Sequence, residues 1–239
     1  MKHTTSDDTM IRTVLFNVFL WPVFAAYLII AYPFAYFMSA KNTYRFVFRP
    51  VTNLLFFCLK IFEKIDYEIK NLDILKEAVN DGPVIIGCNH QSIWETFVFS
   101  KLFTELSIVI KKELLDIAIA RMYFKKLGCI VINRESSVSS IRTLLKSGRR
   151  SIDRNVSILI FMNGTRSSNS GDDYKVGVFA LYEYLKTPVV IASVDSGKCW
   201  PRKAHVKKPG TIILEFKKII KPGFDKNSFL NSLKHEQDF

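Results

Sequence analysis

The chain opens on one long apolar block and then settles into a regular alternation of short apolar and mixed segments. Residues 13–40 contain no charged side chain. As a helix that block reaches about 42 Å, against a bilayer hydrocarbon core of roughly 30 Å, so it is long enough to span. Pro22 and Pro33 fall inside it, and each removes a backbone donor and tends to kink a helix. A single span and a bent or re-entrant hairpin lying in one leaflet both fit this pattern. The next apolar stretch, residues 51–62, is short for a span and contains Lys60, which suits an interfacial helix. Residues 1–12 are polar, with a start expected to be disordered.

From residue 66 onward the pattern changes period. Strand-like runs fall at 84–88, 106–110, 129–133, 156–161, 189–194 and 211–216. Helical stretches lie between most of them, at 92–103, 112–127 (closed by Gly128), 138–152 and 175–186. Short apolar strands separated by helices predict an α/β fold, a mixed and largely parallel sheet flanked by helices. The expected organisation is a polar N-terminus (1–12), a membrane-anchoring helical region (13–65) and an α/β domain (66–239).

Composition adds a partner class. Hydrophobic residues make up 49% of the 239, and mean hydropathy is +0.13, high for a soluble domain. The net charge of +12 favours an anionic partner. Beside an apolar N-terminus, that points to a phospholipid surface rather than nucleic acid, for which no recognition motif is present. The apolar region is too long for a cleaved signal peptide, and no small-x-small site follows it. Lys41, Arg45 and Arg49 follow the block while only Lys2 and Arg12 precede it. This bias puts the C-terminal bulk on the cytoplasmic side of the membrane. The cysteines, Cys58, Cys88, Cys129 and Cys199, are widely spaced and read as reduced thiols. Cysteine and histidine do not cluster at ligand spacings, so no metal site is expected.

The chemistry gathers in four blocks at the ends of expected strands, where open α/β sheets collect ligands. The first is Asn89-His90-x-x-x-x-Glu95. Imidazole with a carboxylate partner is the minimal kit for deprotonating a hydroxyl near neutral pH. Ser92-x-x-Glu95 is equally a capping box for the following helix, and both readings stand for Glu95. The second block runs from Gly128 to Arg134, a guanidinium at a strand exit that suits a phosphate or a plain solvated surface. The third, Phe161-Met162-Asn163-Gly164-Thr165-Arg166-Ser167, makes an anion cradle or an ordinary Asn-Gly turn. The fourth, Pro188-Val189-Val190-Ile191-Ala192, runs on to Ser196-Gly197 and Trp200-Pro201-Arg202 and by itself reads as a core strand and loop.

In this order and spacing, the blocks resemble the PlsC-like glycerophospholipid acyltransferase family, whose best-known members are 1-acyl-glycerol-3-phosphate acyltransferases. That family carries N-H-x-x-x-x-D/E, G-x-x-x-x-x-R, F-P-E-G-T-R-S and a proline-bearing apolar block in sequence. The resemblance covers residues 66–202. It implies direct acyl transfer from a thioester donor, acyl carrier protein or coenzyme A, to lysophosphatidic acid, with no further cofactor. His90 is implied as the base and Glu95 as its orienting acid. Arg134, Asn163, Gly164, Thr165, Arg166 and Lys112 are implied in substrate binding. Met162-Asn163 stand where the family usually has Pro-Glu. That departure leaves room for another lysolipid or a lipid A-type acceptor, or for a membrane lipid-binding homologue without turnover.

Overall fold

The computed structural model describes residues 4–133, 137–162, 172–201 and 206–234. The backbone divides into two compact units. One contains Met1–Glu68, Gln91–Thr104 and Asp195–Ile213, the other Ile69–His90, Glu105–Val194 and Leu214–Phe239.

The first unit is mainly helical. Helix α1 (Thr4–Phe37) runs unbroken through Pro22 and Pro33, and it begins within the polar stretch 1–12, whose first three residues lie outside the described ones. Helix α2 (Ala40–Thr43) and a π-helical segment (Tyr44–Phe48) return the chain to α3 (Arg49–Glu63). The Tyr27 hydroxyl donates to the Val47 carbonyl at 3.1 Å, fastening the π segment to α1. Helices α1 and α3 pack on each other, so the return falls after Phe37 rather than at either proline. Thr13, Phe16, Leu20, Leu28 and Ala35 are buried on α1, and Val51, Leu55, Phe56 and Leu59 on α3. The opposite sides stay apolar and bare: Phe19 is 71% exposed and Ile30 70%, with Leu54, Phe57, Ile61 and Phe62 exposed on α3. A contiguous apolar surface of this kind marks contact with lipid or another apolar partner.

A polar knot secures α1. Lys207, 2% exposed, places its Nζ 3.6 Å from Glu63 Oε1 and donates to Asn17 Oδ1 at 3.0 Å. The ammonium also lies 4.3 Å from the Phe16 ring centroid and 5.0 Å from that of Trp200. Thr13 Oγ1 donates to Glu63 Oε2 at 3.0 Å. Burial pulls the Lys207 ammonium below its ordinary range, and Glu63 opposes that pull. Short helix α5 (Trp94–Leu102) completes the unit. Its Trp94 stacks on Phe56, with ring centroids 5.7 Å apart.

The second unit carries most of the sheet. The strands are β1 (Ile65–Lys70), β2 (Ile85–Cys88), β3 (Leu106–Lys111), β4 (Ile130–Ile132), β5 (Ser157–Phe161), β6 (Val189–Val194) and β7 (Gly210–Ile220). They form one seven-stranded sheet in the order β1-β7-β6-β2-β5-β3-β4. Strand β2 pairs in parallel with β5 and β6, and β3 with β4 and β5. β7 runs antiparallel to β6. Every residue of β2 and β6 is buried, as expected of parallel strands covered on both faces. Helices α7 (Ser137–Asp153), α8 (Asp172–Leu185) and α9 (Lys226–Lys234) supply Leu144, Leu181 and Phe229 to the core with Ile85, Ile158 and Val189. Helix α4 (Leu72–Asn80) packs against β6.

One expected helix is interrupted. The stretch 112–127 forms a 3-10 turn (Lys112–Asp116) followed by α6 (Ala118–Lys126). None of the five turn residues is buried, so no apolar stripe favours continuing the α-helix there, and the Ile117 backbone is extended. Gly128 does end α6, with φ +69°. Its N–H reaches the Lys125 carbonyl and that of Cys129 reaches Phe124, the paired bonds of a Schellman cap.

Candidate active site

Because β2, β3, β4 and β5 run parallel, their C-terminal ends fall on one edge of the sheet. His90 follows β2 by two residues, and Lys112 follows β3 directly. The chain leaves that edge after β4 at Asn133 and after β5 at Met162. Arg134, Asn163, Gly164, Thr165 and Arg166 lie outside the described residues. Lys112 is exposed at the start of its 3-10 turn.

His90 is placed by strand register. Cys88 pairs with Phe161 across β2 and β5, and the Met162 N–H donates to the Cys88 carbonyl at 2.8 Å. The His90 ring therefore stacks on the Phe161 ring, with centroids 4.0 Å apart and planes 18° from parallel. The preceding Asn89 is buried and replaces a stretch of backbone ladder. Its Nδ2 donates to the Val194 carbonyl at 2.8 Å, and the Val194 N–H donates to its Oδ1 at 2.7 Å. An asparagine side chain can make this two-way bond because its amide has the donor and acceptor of a peptide group. The loop at His90 is thus fastened at its base to the end of β6. Met162 is fully buried, and its sulfur lies 3.0 Å from where a Cβ on Gly87 would stand. The methionine at that position fills the space over a glycine in the core.

Glu95 is fully buried in the first turn of α5. The Gln91 and Ser92 N–H groups donate to its Oε1 at 2.8 and 2.9 Å, and Ser92 N–H also lies 3.1 Å from Oε2. These are the bonds a capping-box glutamate makes to the start of a helix. The Ser92 hydroxyl accepts from Trp94 N–H at 3.3 Å. A third donor comes from a distant part of the chain: the Ser196 hydroxyl, 2.6 Å from Oε1. Burial pushes the Glu95 carboxyl up to about 7, against the opposing pull of the Ser196, Gln91 and Ser92 donors. A carboxyl at that value can change charge near neutral pH, as acid–base machinery requires.

The segment after β6 was legible only as a core strand and loop, yet it carries several contacts to the first block. Ser196–Lys198 form a 3-10 turn. Ser196 holds Glu95, and the Gly197 N–H donates to Gln91 Oε1 at 2.9 Å. Small polar residues directly after a buried strand were the available signal.

The family profile described as Acyltransferase matches residues 67–206. The 1-acyl-sn-glycerol-3-phosphate acyltransferase of Pseudomonas aeruginosa is 30% identical over 209 residues, which is 84% of this chain and 77% of that protein. The 1-acyl-sn-glycerol-3-phosphate acyltransferase beta of Homo sapiens is 30% identical over 134 residues, 55% of this chain and 47% of that protein. The crystal structure of the 1-acyl-sn-glycerophosphate acyltransferase PlsC from Thermotoga maritima shares the fold. Its TM-score is 0.72 over 94% of each chain, at 16% identity.

Proposed function

This chain belongs to the acyltransferase family, and on that premise we propose that it transfers a fatty acyl group from a thioester to lysophosphatidic acid, giving phosphatidic acid for phospholipid biosynthesis. His90 takes the proton of the acceptor hydroxyl as that oxygen attacks the thioester carbon. The C–O ester bond forms, the C–S bond breaks, and the imidazolium returns its proton to the departing thiolate. Glu95 orients the imidazole and stabilises its charged form, as the acid of a hydrolase triad does. Arg134, Gly164, Thr165 and Arg166 hold the acceptor phosphate, with Asn163 shaping their loop and Lys112 adding charge. The donor is acyl carrier protein or coenzyme A, both anionic partners that suit a chain of net charge +12.

The observation that carries this reading is Glu95. A fully buried carboxylate held by three converging donors stands five residues after His90, the only histidine among the described residues, which follows a strand exit. The bare apolar side of α1 supports anchorage in a phospholipid membrane, and the basic residues after α1 support a cytoplasmic active face.

A transfer assay with labelled acyl thioester and lysophosphatidic acid tests the reading. His90→Ala is expected to lower turnover by a factor on the order of 10²–10⁴ in protein that remains folded. Near-normal transfer by that variant would refute the mechanism.

A further inference from the structure

We propose that Ser196 is a positioning residue for acyl transfer, holding the Glu95 carboxylate in place through its hydroxyl. The inference rests on the roles of His90 and Glu95 proposed above. It concerns a residue outside the His90–Glu95 block, brought to it by the fold.

The 3-10 turn that carries Ser196 is a built feature. Asp195 anchors it: its Oδ1 accepts from the Ile213 N–H at 2.7 Å, and its own N–H donates to the Ile213 carbonyl at 3.2 Å. The Lys198 ammonium pairs with the other oxygen of Asp195. From this base two adjacent residues reach the loop before α5. Gly197 approaches so closely that a Cβ there would stand 2.8 Å from Gln91 Oε1. A larger residue at 197 would have to displace the Gln91 side chain from that position. Ser196, fully buried, spends its single hydroxyl proton on Glu95 Oε1.

That last bond is not required for capping α5. The Gln91 and Ser92 N–H groups already supply the helix-start bonds. What the hydroxyl adds is a short third donor on the same oxygen, and a donor to a carboxylate favours its charged form. The charged groups on the elements packed around Glu95 are Asp195 and Lys198 on the turn, Lys101 on α5, Arg49, Lys60 and Glu63 on α3, and Arg45 on the π-helical segment, with His90 five residues earlier in the chain. The shift of Glu95 has burial as its upward cause and hydrogen bonds as its downward ones. Removing the hydroxyl therefore leaves burial less opposed.

The experiment measures kcat and KM against pH for the full chain in lipid vesicles, for wild type, Ser196→Ala, Ser196→Thr and His90→Ala. Loss of one hydrogen bond to a charged group should raise the acidic limb of kcat by about one pH unit. Turnover of Ser196→Ala should then fall on the order of tenfold below pH 7 and recover toward wild type above pH 8. KM for the acceptor should hardly change, and Ser196→Thr should restore the wild-type limb. If Ser196→Ala does not fold, Ser196→Cys replaces it: a weaker donor, it should place the limb above the wild-type position. An unshifted limb, or a loss equal at every pH, overturns the proposal. A fully active His90→Ala variant instead overturns the catalytic reading beneath it, so the two failures are distinguishable.

Discussion

Glu63 and Glu95 are both fully buried in the same unit, and they are kept there by opposite means. Glu63 faces a cation: Lys207 lies 3.6 Å away, itself clasped by Asn17 and the rings of Phe16 and Trp200. Glu95 faces neutral donors, two backbone N–H groups and a hydroxyl. A buried charge needs compensation in either case. An ion pair serves as a clasp, here between α1, α3 and the segment at Lys207. Neutral donors compensate incompletely, leaving Glu95 near 7 and able to respond to protonation. Burial alone therefore does not separate a clasping carboxylate from a catalytic candidate, whereas the chemistry of the partners does.

The largest expected contrast follows from making the same change at both positions. Glu95→Gln should cut turnover on the order of 10²-fold or more, as loss of the acid does in a triad, in protein that remains folded. Glu63→Gln should leave the turnover of folded protein near wild type and lower stability. Transfer assays run beside thermal melts decide this, and equal loss of activity in both variants would erase the distinction.

The clasp itself is tested next. Breaking one side of a buried pair strands the other charge and costs about 3–5 kcal/mol. Lys207→Met should show such a loss in denaturant unfolding, and Glu63→Gln combined with Lys207→Met should recover most of it. Additive losses in the double variant would show that the two side chains are not a pair.

The smallest effect is a pH slope. A carboxyl raised in the folded state binds a proton that the unfolded chain has already released. Between roughly pH 4.3, the unfolded glutamate value, and the folded value of about 7, the native state holds more protons. Stability due to Glu95 therefore falls as pH rises through that window, by at most about 1.4 kcal/mol per pH unit. Subtracting the Glu95→Gln unfolding curve from wild type should isolate this slope. A difference that is flat over the window would place the carboxyl at an ordinary value.

The hydrophobic pattern made much of this visible. The runs at 84–88, 106–110, 129–133, 156–161 and 189–194 each coincide with an observed strand to within a few residues, because a buried parallel strand needs a continuous apolar run, and 211–216 falls within antiparallel β7. Gly128 marked a helix end because only a left-handed turn closes it there. The split of residues 112–127 was hidden, since helical spacing says nothing of whether a surface will be present to bury the apolar positions. Strand β1 was missed for the related reason that its burial alternates with exposed Tyr67-adjacent polar residues such as Glu68 and Lys70. Capping by Glu95 was legible in Ser92-x-x-Glu95, a local device. Its bond from Ser196 was not, since 101 positions separate the partners.

By itself, the sequence determined the α/β class, the apolar N-terminal helix, the His90–Glu95 spacing and membership of the acyltransferase family. These depend on period, composition and short-range order, which a linear chain displays directly. The tertiary structure alone decided that α1 returns against α3, that Lys207 is buried beside Glu63, that Asn89 ties its loop to Val194, and that Ser196 meets Glu95. Each is a pairing of residues far apart in the chain. Which distant donor meets a buried acceptor is settled only when the packed chain excludes water and brings that donor within reach.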